Sequence, residues 1–255
     1  MDYKIIKYRL EDGVAYITLN HPPLNVLNIA MMKEINSALE PLLDEKGLKL
    51  VVFGAEGKAF SAGVDVSEHL GNSVIEMITT FHNIFKNILK LRCPTLAVVQ
   101  GAALGGGCEL VAFCDFIIAS ENAKFGQPEI QVGVFPPIAC MILPKLIPHT
   151  KAMELLLTGC LASAKQAEGF GLVNKCVPEA SLKEEANNFI AKIAKLSPIL
   201  VGFTKSIAVK RQQKEFLDYL AEVEEIYLNQ LMKTEDAQEG LKAFLEKRKP
   251  EWKNK

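Results

Sequence analysis

Two short runs rich in strand-forming residues, Tyr3 to Leu10 and Val14 to Leu19, open the chain, with Glu11-Asp12-Gly13 supplying the turn between them. Pro22 and Pro23 cannot donate to a ladder, so Asn20 to Pro23 is expected as a loop. Met31, Ile35, Ala38, Leu39 and Leu42 recur at helical spacing and predict a helix over about 28–44. Leu48 to Phe53 is continuously apolar, the mark of a strand buried on both faces. The theme then repeats. An amphipathic helix is predicted over about 74–91, with Ile78, Phe81, Phe85, Ile88 and Leu89 inward, and Pro94 closes it. Thr95 to Val99 and Asp115 to Ala119 are two more buried strands, flanking a glycine-rich loop and a short helix at about 107–113.

From Pro136 onward the pattern is mostly helical, interrupted by one strand-like piece, Leu172 to Val177. Helices are expected over 181–195, 198–212, 216–232 and 234–248. Asp236 and Glu239 early in the last of these, and Lys247 and Arg248 late, suit its dipole. Alternating strands and helices followed by a helical stretch predict an α/β fold in one compact unit.

Composition narrows the function. The 255 residues carry 29 Lys+Arg and 30 Asp+Glu, a net charge of −1, so no global positive field is available for nucleic acid or an anionic membrane. The six cysteines lack C-x-x-C spacing and read as free thiols in a reducing compartment. The four histidines pair with nothing at metal spacing, so no metal is expected. The start MDYKIIKYRL lacks the features of a signal or transit peptide. The most apolar stretch, Thr95 to Ala119, contains Gln100, Glu109, Asp115 and four glycines, which a membrane span would not place in mid-bilayer. The expected location is the cytoplasm.

Three segments carry candidate chemistry. In Gly101-Ala-Ala-Leu-Gly-Gly-Gly-Cys-Glu109, glycines between a buried strand and a helix expose backbone amides that can stabilise an oxyanion. Glu109 lies about one turn after Gly106, so its carboxylate can approach the same point. A tight turn followed by a favourably placed acid explains this segment equally well. Phe60-Ser-Ala-Gly-Val-Asp65 again exposes amides, although an ordinary loop with Asp65 as a helix cap accounts for it. Phe125-Gly-Gln-Pro-Glu129 supplies a second acid, and two carboxylates can divide acid and base work if their environments separate their pKa values. A lone loop glutamate is more often simply solvated.

Together, in this order, FSAGVD, GAALGGGCELVAFCD and AKFGQPEIQVGVFP resemble the enoyl-CoA hydratase/isomerase (crotonase) superfamily, and the similarity runs on to GLKAFLEKRKPEW. The resemblance implies a spiral of ββα units over 1–195 and a helical trimerisation region over 196–255 of the same unit. It implies a homotrimer, or a hexamer built of two trimers. It puts an oxyanion hole on the amides of Val64 and Gly106 and catalytic acids at Glu109 and Glu129. These acids would hold a water, with Glu129 also protonating the α-carbon of an unsaturated acyl-CoA thioester. Coenzyme A would lie along Leu24, Val26, Ala62, Val64, Asp65 and Val66, with Phe244 and Lys247 of the last helix reaching it. Coenzyme A is then part of the substrate, and no separate cofactor is implied.

Many hydratases of this family carry a glycine-rich turn after the second acid, where this chain has Phe135-Pro136-Pro137-Ile138-Ala139. Pro136 and Pro137 are therefore expected to reshape the acyl pocket. GVFPPIA, Ser67-Glu68-His69 and the C-terminal segment resemble cyclohexa-1,5-diene-1-carbonyl-CoA hydratases. General enoyl-CoA hydration, double-bond isomerisation, and a non-catalytic CoA- or RNA-binding role remain the rival readings. The paired acids speak against the last two, and the near-neutral charge against RNA.

Overall fold

The computed structural model describes residues 3–255; the first two residues of the N-terminal segment and of the expected spiral core lie outside it. Its main sheet has six strands: β1 (Ile6–Glu11), β2 (Val14–Leu19), β3 (Leu50–Ala55), β4 (Thr95–Val99), β6 (Phe116–Ser120) and β9 (Lys175–Val177), in that spatial order. β1 and β2 form the antiparallel hairpin; every later pairing in this sheet is parallel.

The apolar runs are explained by what covers them. Val14, Leu50, Val52, Leu96 and Ile118 meet Leu182 and Ile190 of helix α7 (Leu182–Ala194) on one face. Ile17, Val51, Phe53 and Ala97 join the larger core on the other, where α1 (Ile29–Leu39) and α2 (Ser73–Lys90) pack against each other. With both faces covered, no polar alternation is required.

A second, small sheet carries the functional loops. It is made of β5 (Ala102–Leu104), β7 (Lys124–Gly126) and β8 (Leu161–Ser163), with β7 in the middle. The sequence pattern does not predict these strands, because three residues are too few to establish a period of two. They lie close to α3 (Gly106–Ala112) and α6 (Ala164–Gly169).

Several boundaries differ from expectation. The helix expected over 28–44 stops as an α-helix at Leu39 and continues as a 3₁₀ turn, Glu40–Leu43, since Pro41 has no amide to bond back. Leu172 and Val173 are not strand; their amides bond to the carbonyl of Ala167 in the turn after α6, leaving β9 with three residues. The two helices expected over 198–212 and 216–232 are one continuous helix, α8 (Pro198–Asn229), which a 3₁₀ turn follows. Gln213, Lys214 and Glu215 interrupt the apolar pattern but contain no breaker, so the backbone runs through them. Between these parts lie α4 (Pro137–Leu146) and α5 (His149–Thr158), and α9 (Glu235–Leu245) closes the chain. α8 rests on α4 and α2. Among the described residues, no helix is long and apolar enough to cross a membrane.

Candidate active site

The glycine-rich loop is fixed by close approach. After β4, a Cβ on Gly101 would fall 1.8 Å from the carbonyl oxygen of Lys58, so no other residue fits there. Gln100 donates to the carbonyls of Ala55, Gly57 and Ala59, tying the end of β4 to the loop after β3. β5 then bridges to Ser61, with the amides of Phe60 and Ser61 donating to Ala102 and that of Leu104 donating to Ser61. This stitching brings FSAGVD against GAALGGG although about forty residues separate them.

Two amides emerge unused. The bridge between Leu27 and Val64 employs the carbonyl of Gly63 and the amide of Asp65 and leaves the amide of Val64 spare. Gly105, at φ +52°, turns the chain so that Gly106 begins α3, where its amide has no helical acceptor. Neither amide donates a hydrogen bond among the described residues. The loops nearly touch: a Cβ on Gly63 would stand 3.6 Å from the Gly106 nitrogen. Paired free amides of this kind can hold an anionic oxygen.

Glu109 follows one turn into α3 and is buried, 2% exposed. Its Oε1 accepts from the amide of Ala139 at 2.8 Å. α4 needs this partner, because its cap position is Pro136 and its first residue is Pro137, neither offering a side-chain acceptor. Pro136 and Pro137 both line the cavity, so the segment that departs from the glycine-rich turn also docks a helix N-terminus on Glu109. Burial pushes the Glu109 carboxyl up to about 7, against the lowering effect of the Ala139 and Ile138 amides.

Glu129 is delivered by β7 and the 3₁₀ turn Pro128–Val132, which ends at Gly133 in the left-handed region. Its Oε2 is enclosed and has no hydrogen-bond partner among the described residues. Burial, and then the charge of Glu109, hold its carboxyl well above the ordinary range. The acids thus sit in one enclosed place and oppose each other's ionisation.

Both line a cavity of about 410 Å³ together with Val64 and Gly106. Of the residues expected around coenzyme A, Ala62, Val64, Val66 and Phe244 border it. Leu24, Val26, Asp65 and Lys247 do not. Leu24 is half-exposed and its carbonyl anchors the amide of Ala62. The Asp65 carboxylate is occupied locally, accepting from the amide and hydroxyl of Ser67 to cap a 3₁₀ turn. Lys247 lies exposed beyond the end of α9. His69 also borders the cavity, its Nδ1 2.9 Å from the Asp65 carbonyl, and burial lowers its pKa.

The sequence reading missed the cavity's aromatic wall. Phe81 from α2, Phe135, and Tyr227 from α8 all border it, and Tyr227 meets Phe135 edge-on at 5.2 Å between ring centroids. Phe81 belongs to an inward helical stripe, which marks it as core. Nothing in the local pattern around Tyr227 distinguishes it from any other inward residue of a helix. Among the described residues, no group of three or more His, Cys, Asp or Glu side chains could hold a metal ion.

Comparison with known proteins agrees with this architecture. The family model for enoyl-CoA hydratase/isomerase matches residues 9–255. A protein of Rhizobium meliloti named a probable enoyl-CoA hydratase is 39% identical, with all of both chains covered. The human mitochondrial enoyl-CoA hydratase domain-containing protein 3 is 36% identical over 94% of this chain and 81% of its own. The crystal structure of an enoyl-CoA hydratase from Mycobacterium avium subsp. paratuberculosis superposes with a TM-score of 0.88 at 28% identity, covering 99% of this chain and 100% of the other. The fold is the crotonase-type α/β fold, and the chain belongs to the enoyl-CoA hydratase/isomerase family.

Proposed function

We propose that this enzyme is a hydro-lyase that adds water across the conjugated double bond of an acyl-CoA thioester. The observation that carries the reading is the convergence of two buried acids and two spare amides on one cavity. The amides of Val64 and Gly106 hold the thioester oxygen as it gains charge. Glu109 and Glu129 hold the water between them. Burial raises Glu109 to about 7 and, with the charge of Glu109, holds Glu129 well above the ordinary range, so the two acids resist ionising together and can share one proton, offering one base and one acid. Glu109 takes a proton from the water as its oxygen bonds to the β-carbon, and Glu129 gives its proton to the α-carbon. A proton passing from Glu109 to Glu129 restores the start. Side chains, amides and water suffice for these steps.

The substrate we favour is cyclohexa-1,5-diene-1-carbonyl-CoA. Phe81, Phe135, Tyr227 and Pro137 give the acyl end flat, apolar walls suited to a ring. The CoA portion runs past Ala62, Val64 and Val66 toward Phe244, with Leu24, Val26, Asp65 and Lys247 flanking its outer part. The core over 1–195 supplies the two acids and the two amides, while the helices over 196–255 add Tyr227 and Phe244 to the cavity wall and mediate assembly into a trimer, or a pair of trimers, in the cytoplasm.

The test is incubation with crotonyl-CoA and, separately, the cyclic diene, following loss of the conjugated thioester absorbance and a mass gain of one water. Faster hydration of the cyclic diene is expected. Faster hydration of crotonyl-CoA would return the enzyme to straight-chain substrates, and no water addition to either would overturn the hydratase reading.

A further inference from the structure

Tyr227 has a polar group for which the fold provides no use. Its side chain is 1% exposed, yet its hydroxyl forms no hydrogen bond among the described residues. A buried tyrosine normally finds a partner for that group. The ring is held edge-on by Phe135, and the residue borders the cavity shared with Glu109 and Glu129. With no partner in the protein and the residue at the cavity wall, the hydroxyl is left for what the cavity holds. A rigidly held donor with nothing to donate to, beside two acids, is placed for a ligand.

We infer that the phenol of Tyr227 donates a hydrogen bond to the oxygen that is added to, or removed from, the acyl chain, making Tyr227 a third catalytic group beside Glu109 and Glu129. The inference deepens the hydratase reading and rests on it. Counting hydrogen bonds on the water supports the assignment. Its two protons are directed at the two carboxyl groups, and one lone pair attacks the β-carbon. One lone pair is left, and it requires a donor. Burial, and then the charges of the two acids, raise the pKa of the phenol, so it stays protonated and acts as a donor, not as a base. In the reverse direction the same bond stabilises the departing hydroxyl as its bond to carbon breaks.

Tyr227→Phe keeps the ring and its contact with Phe135 and removes only the donor. Both kcat for hydration and kcat for dehydration should fall by about 10- to 100-fold, with KM for the unsaturated thioester nearly unchanged. A second measurement does not depend on turnover: titration calorimetry of wild type and Tyr227→Phe with 3-hydroxybutyryl-CoA and butyryl-CoA. The variant should bind the hydroxy compound roughly 3- to 10-fold more weakly and the saturated compound equally well. Equal affinity changes for both compounds, or wild-type turnover in the variant, would overturn the role of Tyr227 while leaving hydration by the two acids standing. A wild-type enzyme that hydrates nothing, with the hydroxyl preference still lost in Tyr227→Phe, would overturn the hydratase reading and keep the contact.

Discussion

Oε1 of Glu109 accepts a 2.8 Å hydrogen bond from the amide of Ala139, so one carboxylate serves the cavity and caps α4. The two roles can be separated by choice of substitution. Glu109→Gln keeps an acceptor oxygen for α4 and loses the base. Hydration should fall by about 10²- to 10⁴-fold with little change in melting temperature. Glu109→Ala should lose as much activity and also destabilise the fold by about 1 kcal/mol through the lost cap. Steady-state kinetics with thermal melts check both, and near-normal turnover by Glu109→Gln would remove it from the mechanism.

Gly105 and Gly106 are constrained on different sides. A Cβ on Gly105, besides its φ of +52°, would fall 2.6 Å from Oε1 of Glu129. A Cβ on Gly106 would fall 2.6 Å from Cγ2 of Val64 and 3.0 Å from the Phe81 ring. Gly105→Ala should displace the second acid, lowering kcat by at least about 10²-fold. Gly106→Val should spread the two amides apart and reduce kcat/KM at least as strongly. Retention of near wild-type rates by Gly106→Val would refute the amide pair.

How far the sequence foretold this site depends on the range of the interaction. Val64, Gly106, Glu109 and Glu129 sit in segments whose order and spacing are distinctive, so their convergence could be anticipated. Phe244 could be placed at the cavity for the same reason. Tyr227 reaches the cavity through the packing of α8 over α2 and α4, about a hundred residues beyond the segments that hold the acids. No local period encodes that contact. Asp65 shows what a local motif can encode: of its two readings, helix cap and coenzyme A contact, the cap is seen directly, its carboxylate accepting from the amide and hydroxyl of Ser67 at the start of a 3₁₀ turn. The strands of the small sheet were equally hidden, being defined by their partners and not by any run of their own.

The N-terminal half of α8 leaves Ile199, Leu200, Phe203 and Ile207 exposed by 67–74%. A contiguous apolar stripe of this kind is expected to be covered in an assembly. Light scattering should give three or six times the 28.1 kDa chain mass. Phe203→Glu should shift the mass toward the single chain and lower activity at dilute protein. A wild-type protein that runs as a monomer at micromolar concentration would contradict the assembly.

Glu129 should make stability depend on pH in a recognisable direction. Its carboxyl is raised well above 4.5 in the folded state, and that of Glu109 to about 7. Below about 4.5 both acids are protonated whether the chain is folded or not, and burial carries no ionisation penalty. As pH rises from there, the unfolded chain releases these protons and the native state retains them, so the folded state loses stability until both acids have ionised. Glu129→Gln removes one titrating group and the repulsion it exerts on Glu109. The variant and wild type should melt at similar temperatures near pH 5, and the variant should melt several degrees higher near pH 8. The pH-rate profile should also change, because Glu129→Gln lacks the proton donor and any residual activity should follow the ionisation of Glu109 alone. Melting curves for the two proteins that stay parallel from pH 5 to 8 would show that Glu129 ionises freely in the folded enzyme, which would remove it as the acid that protonates the α-carbon.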